Sequence, residues 1–192
     1  LILSLDAAKE INVEYRVVKS PAVGDTGLIP DAEFAPGAYD VYILGDIAAE
    51  FLTTSQIRSL ANLVDNGAGL LMLGGRSTFG LGGWADTPLA AMLPVNISAN
   101  DGQLEPEGGV KVLPNTVGLE NYVLRLSPTR EETQRIWNEL PTVTGTNLFQ
   151  GVKPNAIVLA TTNTPSREPI MVAMETKKGR SLAFGGETWP WR

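Results

Sequence analysis

The chain of 192 residues contains no cysteine and no histidine. Without cysteine it can form no disulfide, no thiolate metal site and no thiol nucleophile. Without histidine it lacks the commonest general base and the commonest transition-metal ligand. Carboxylate, hydroxyl and amine chemistry remain, so an ion site would have to be an all-oxygen one suited to Mg²⁺ or Ca²⁺. The pattern calls for no cofactor and no metal. Positive charge is also scarce: 15 Lys and Arg stand against 21 Asp and Glu, a net charge of -6. A nucleic-acid binder needs a basic face to displace counterions, so nucleic acid is not an expected partner. No run approaches the roughly 18 apolar residues of a membrane helix, and no signal peptide is visible, so these residues are expected to insert into no membrane. The chain opens at Leu1 without methionine and stops at Trp189-Pro190-Trp191-Arg192. Both ends read as cut, and we expect a single domain over residues 1–192 that is a piece of a longer chain. Composition does not locate it in the cell.

What is there reads as globular: 43% hydrophobic and 19% charged residues can build a core. Residues 1–10 read as the tail of an amphipathic helix, with Ile2, Leu5 and Ala8 on one face. Residues 12–18 alternate as a strand does, and 20–37, rich in Pro, Gly and Asp, read as a loop. Residues 39–46 form a buried-type strand ending in a carboxylate. Thr53 or Thr54 can cap the next helix, with Gln56 near the capping-box position. Ile57, Leu60, Ala61 and Val64 recur at helical spacing until Asp65-Asn66-Gly67 stops the helix, and 69–73 is a second buried-type strand. Strand, helix, strand implies a parallel crossover. Beyond it, 87–94 is a short helix at most, 96–114 a polar hairpin or excursion, and 131–140 a helix ending before Pro141. Strands follow at 156–161, 170–176 and 180–185, the last two flanking the hairpin signal Lys177-Lys178-Gly179. The pattern predicts an open three-layer α/β sheet, mostly parallel, with a late antiparallel hairpin.

The passage Gly74-Gly75-Arg76-Ser77-Thr78-Phe79-Gly80-Leu81-Gly82-Gly83-Trp84, followed by Thr87-Pro88-Leu89, is the most informative. With Trp137-Asn138-Glu139-Leu140-Pro141, the stretch from Lys153 to Ala160, and Gly179-Arg180-Ser181-Leu182-Ala183-Phe184-Gly185-Gly186-Glu187-Thr188-Trp189, it resembles the putative glutamine amidotransferase family of the class I glutamine amidotransferase-like superfamily. The resemblance spans most of the chain and implies a flavodoxin-like fold. In active members of the superfamily the strand after the helix ends in a sharp turn that carries a cysteine. By position that nucleophile falls at or next to Gly75, where no side chain exists to attack, and the histidine partner is missing from the whole chain. The resemblance therefore carries over the fold and not the reaction. It also implies a bacterial module of a larger chain, of the membrane-anchored kind that carries von Willebrand factor A-like modules.

The candidate ligand-binding residues are Asp46, Gly74, Gly75, Arg76, Ser77 and Glu187, with no catalytic residue assigned. Strand ends gather ligands in open α/β sheets, and Asp46 and Glu187 both follow strands. Gly74 and Gly75 either supply positive φ at the strand end or form an anion nest with Arg76. Asp46 either lines a crevice or pairs with Arg76 or with backbone N–H groups. Ser77 is a turn residue or, given a lysine or carboxylate base, a nucleophile. Trp84, Trp137, Trp189 and Trp191 read as packing residues. Three roles stay open: a non-catalytic module for a small polar ligand or a protein partner, a divergent hydrolase or amidase using Ser77 or a carboxylate-activated water, and a structural spacer.

Overall fold

Strand β1 (Val41–Gly45), helix α1 (Thr54–Asp65) and strand β2 (Gly69–Leu73) form the expected crossover, with the strands parallel from Val41 against Gly69 to Gly45 against Leu73. Thr53 is the N-cap. Its Oγ1 accepts the Gln56 N–H, and the Gln56 side-chain oxygen accepts the Thr53 N–H at 2.9 Å. The box satisfies two amides that every helix start leaves without a partner. One face of α1 buries Ile57, Leu60, Ala61 and Val64, each large aliphatic contributing on the order of 2 kcal/mol by leaving water.

The computed structural model describes residues 5–18 and 29–187. After β2 come β3 (Val95–Asn96), β4 (Gln103–Leu104), β5 (Val112–Pro114), α2 (Thr116–Glu120), α3 (Arg130–Glu139), β6 (Thr146–Asn147), β7 (Gly151–Val152), β8 (Ala156–Thr162), β9 (Pro169–Glu175) and β10 (Arg180–Phe184). The main sheet is a mixed one of six strands in the order β1-β2-β10-β9-β8-β5. β1, β2 and β10 are mutually parallel neighbours, while β10–β9, β9–β8 and β8–β5 are antiparallel. The expectation of a mostly parallel sheet thus holds for one half only. The late hairpin, β9 to β10 through Lys177-Lys178-Gly179, falls where the turn signal put it.

Side chains alternate across this sheet into two cores. Ala183 of β10 and Leu70 and Met72 of β2 pack with α1, Trp84 and Leu89 on one face. Phe184 and Leu182 of β10 pack with Leu119, Leu124 and Trp137, from α2, the turn after it and α3, on the other.

Several expectations need correction. Residues 12–18 form no ladder: alternation alone makes none without a neighbouring strand, and none of the described strands pairs with them. β1 is an edge strand with Val41 and Ile43 exposed, not a fully buried one. The excursion 96–114 makes no hairpin with itself; β3 and β4 pair with β7 and β6. The stretch 87–94 keeps to its expectation of a short helix at most, since Pro88–Met92 form a 3-10 helix. Of the helix expected over 1–10, only Leu5 and Asp6 are helical among the described residues, and 7–10 turn. Trp189 and Trp191 lie outside the described residues.

Candidate functional site

The carboxyl ends of β1, β2 and β10 meet at one end of the sheet. The Gly74 N–H donates to the Phe184 carbonyl at 2.6 Å, continuing the β2–β10 pairing by one residue. A Cβ on Gly74 would stand 2.0 Å from the Gly185 carbonyl oxygen. A Cβ on Gly75 would stand 2.2 Å from Asp46 Oδ1 and 2.6 Å from Asp46 Cβ. Neither glycine has positive φ. The glycine pair is required by close approach of neighbours, so the reading based on conformational freedom is corrected here. The left-handed residue is Asp46 itself, at φ 46°. That conformation, tolerated by aspartate better than by most residues, turns its carboxylate back over the β2 loop.

The loop backbone is held from every side. Asp46 Oδ1 accepts the Ser77 N–H at 2.6 Å. Asn147, fully buried at the end of β6, accepts the Gly75 N–H and donates to the Gly75 carbonyl, both at 3.1 Å. Gln103 Nε2 donates to the same carbonyl at 2.9 Å. Trp84 Nε1 donates to the Ile47 carbonyl at 2.8 Å and pins the turn that carries Asp46. The loop amides are taken by the protein itself, Ser77 by the Asp46 carboxylate, Gly75 by Asn147 and Gly74 by Phe184, so they form no open anion nest.

Arg76 does not pair with Asp46. Its guanidinium points outward and meets both carboxylate oxygens of Glu105, at 3.2 and 3.3 Å. No acid or amine side chain hydrogen-bonds the Ser77 hydroxyl among the described residues. Glu187 follows the Thr146–Gly186 bridge, half-buried, with its N–H on the Gly145 carbonyl. Asp46, Gly74, Gly75 and Ser77 therefore come together, with Glu187 on the continuation of the neighbouring strand and Arg76 on the outer rim.

Two shallow depressions lie elsewhere. One, about 290 Å³, is lined by residues such as Lys153, Glu175 and Lys177; the other, about 250 Å³, sits at the opposite end of the sheet between Asp40, Gly69 and Arg180. Neither includes any of the six candidate residues. Among the described residues no group of three or more acidic side chains is placed to hold a metal ion, and no helix is long and apolar enough to cross a membrane. Asn147, Gln103 and Glu105 were missed by the sequence reading, since nothing local marks a residue that reaches back to a turn 72 positions earlier, as Asn147 does to Gly75.

Residues 8–191 match the putative glutamine amidotransferase family. The chain belongs to that family. The fold is similar to two cytoplasmic proteins of Salmonella typhimurium. STM1381 matches with a TM-score of 0.71 and 22% identity over 98% of this chain and 76% of that one. STM3548 matches with a TM-score of 0.67 and 23% identity over 84% of this chain. The match spans 66% of STM3548, just under two thirds of its length. A weaker likeness, with a TM-score of 0.52 and 14% identity, covers 78% of this chain and 20% of a β-galactosidase from Rahnella sp. R3. These identities speak for fold alone. No curated protein matches the chain.

Proposed function

We propose that this family member is a non-catalytic binding or interaction module, with a three-layer flavodoxin-like fold, acting as one domain of a larger bacterial protein. One observation carries the reading: the elbow position is glycine, and the Asp46 carboxylate stands where a nucleophile's side chain would begin. A covalent mechanism needs a nucleophilic side chain, a base within hydrogen-bond reach and oxyanion donors left open to substrate. Gly75 has no side chain, histidine is absent, and the Ser77 N–H is taken by Asp46. The rim of Asp46, Gly74, Gly75, Arg76, Ser77 and Glu187 is the surface we assign to a small polar ligand or a partner's loop. A partner would meet the exposed Arg76–Glu105 pair first.

A larger parent is supported by the Rahnella β-galactosidase, in which the similar portion is about a fifth of the chain. The family resemblance extends the proposal to a membrane-anchored parent. Two similar proteins are described as cytoplasmic, so anchoring is the part that cell fractionation of the parent decides.

The test is turnover of glutamine to ammonia, and of generic amides and esters, with and without Mg²⁺, on wild type, Ser77→Ala and Glu187→Gln. No turnover above blank is expected. Activity lost in either variant would overturn the reading in favour of a hydrolase.

A further inference from the structure

The larger depression, about 290 Å³, lies by the turn that leads into β10, at the end of that strand away from the elbow. Met174 of β9 and Met92 of the 3-10 helix at 88–92 give it an apolar side. Methionine side chains adapt to the shape laid on them. Four charged residues also line it: Asp65, Lys177, Glu175 and Lys153. Asp65 and Lys177 satisfy each other at 3.0 Å. Strand alternation turns the Glu175 side chain to the face opposite Met174. Lys153 is the charge left over.

Lys153 is half-buried, and its ammonium donates to the Ala90 and Ala91 carbonyls at 2.8 and 2.9 Å. An ammonium carries three N–H donors. The third has no partner among the described residues. Burial alone pushes the Lys153 pKa down, with no carboxylate to hold it up. Neutral carbonyls orient the amine without neutralising it, and a desolvated charge without a counter-charge is costly. The depression therefore presents an oriented donor with an uncompensated positive charge beside an apolar surface.

We propose that this depression binds a small monocarboxylate with a short apolar tail, its carboxylate accepting the third N–H of Lys153 and its tail lying on Met92 and Met174. A carboxylate and an ammonium make a charge-assisted bond, about twice as strong as a neutral one. Other ligand classes fit worse. An amine meets the Lys153 charge, inorganic phosphate has no tail to lay on the methionines, and a second carboxylate on the ligand meets the Asp65 end of the lining. The site shares no residue with the elbow rim, so either can fail without the other.

The test is a titration of the 192-residue chain with hexanoate at neutral pH, followed by backbone amide NMR shifts. The amides of Met92, Asn155 and Thr176 should move together and saturate. Acetate should bind at least about tenfold more weakly, because buried methylenes carry the difference. Hexan-1-ol, with the tail and no charge, should also bind at least about tenfold more weakly, and hexylamine should not bind. Lys153→Gln should weaken hexanoate about tenfold or more, with an unchanged circular dichroism spectrum showing that the variant folds. Met92→Glu leaves the Lys153 bonds alone and adds a negative charge to the lining; Met92 is only partly buried, and this variant should weaken hexanoate as well. No saturating shift in wild type overturns the proposal. Equal binding of hexanoate and hexan-1-ol overturns the carboxylate contact, and equal binding of acetate and hexanoate overturns the apolar one. Hexanoate binding unchanged in both variants overturns the assignment to this depression. Shifts confined to Gly75, Ser77 and Asn147 would place the ligand on the elbow rim and overturn this site.

Discussion

Gly75 illustrates how one residue can be forced by its surroundings. Alanine there adds a single Cβ, which would collide with the Asp46 side chain at 2.2 to 2.6 Å. Relief requires breaking the 2.6 Å bond from Ser77 to Asp46. Gly75→Ala should therefore cost about 2–3 kcal/mol in urea unfolding, within the range of overpacked sites. Asp46→Gly removes the obstacle and also the left-handed strain, which is about 1 kcal/mol for a residue with a Cβ. The double variant should thus lose less than the sum of the singles, by about 1 kcal/mol or more, as expected of residues in contact. Additive losses would mean that the carboxylate is not what excludes a side chain at 75. The sequence made both residues visible as candidates, since a carboxylate and a glycine pair at strand ends are local signals. It did not reveal which of them carries the strain.

At the scale of elements, local signals are legible and neighbours are not. The capping box of α1 is readable because Thr53 and Gln56 are three positions apart. What Gln56 does beyond it is not: its Nε2 also donates to the Ile29 carbonyl and to Asp31, both at 2.8 Å. Thr53→Ala should cost about 1 kcal/mol. Gln56→Ala should cost more, about 2 kcal/mol, because it strands the Thr53 N–H and the Ile29 carbonyl together. Equal losses in urea unfolding would reduce Gln56 to a cap alone. Residues 12–18 give the converse case, in which alternation was legible but a ladder needs a neighbour. Lys153, between β7 and β8, donates to the Ala90 and Ala91 carbonyls at 2.8 and 2.9 Å. Burial lowers its pKa below the usual 10.5. The unfolded chain then binds more protons than the folded one between the folded-state value and 10.5, so this group makes stability rise with pH in that window. The rise should be absent from Lys153→Gln when the two stability–pH curves are compared.

For the whole molecule, the two cores explain which half of the fold could be read. The β1-α1-β2 unit closes on short, local connections, and its periodicities were enough to place it. The β9–β10 hairpin was legible as well, but β2 with β10 and β5 with β8 pair across long stretches of chain, and β3, β4, β6 and β7 are too short to leave a pattern. One side chain links the legible unit to the rest. Trp84 is fully buried in the α1-side core, and its indole N–H holds the Ile47 carbonyl next to Asp46. Trp84→Phe removes the donor, leaves that carbonyl without its partner, and opens space in a core packed on all sides. The expected cost is about 2–3 kcal/mol, from one stranded acceptor and a small cavity. If the same bond fixes the Asp46 turn, exchange of the Ser77 amide should also accelerate beyond the change in global stability. Acceleration no larger than that change would make Trp84 a core residue with no hold on the elbow.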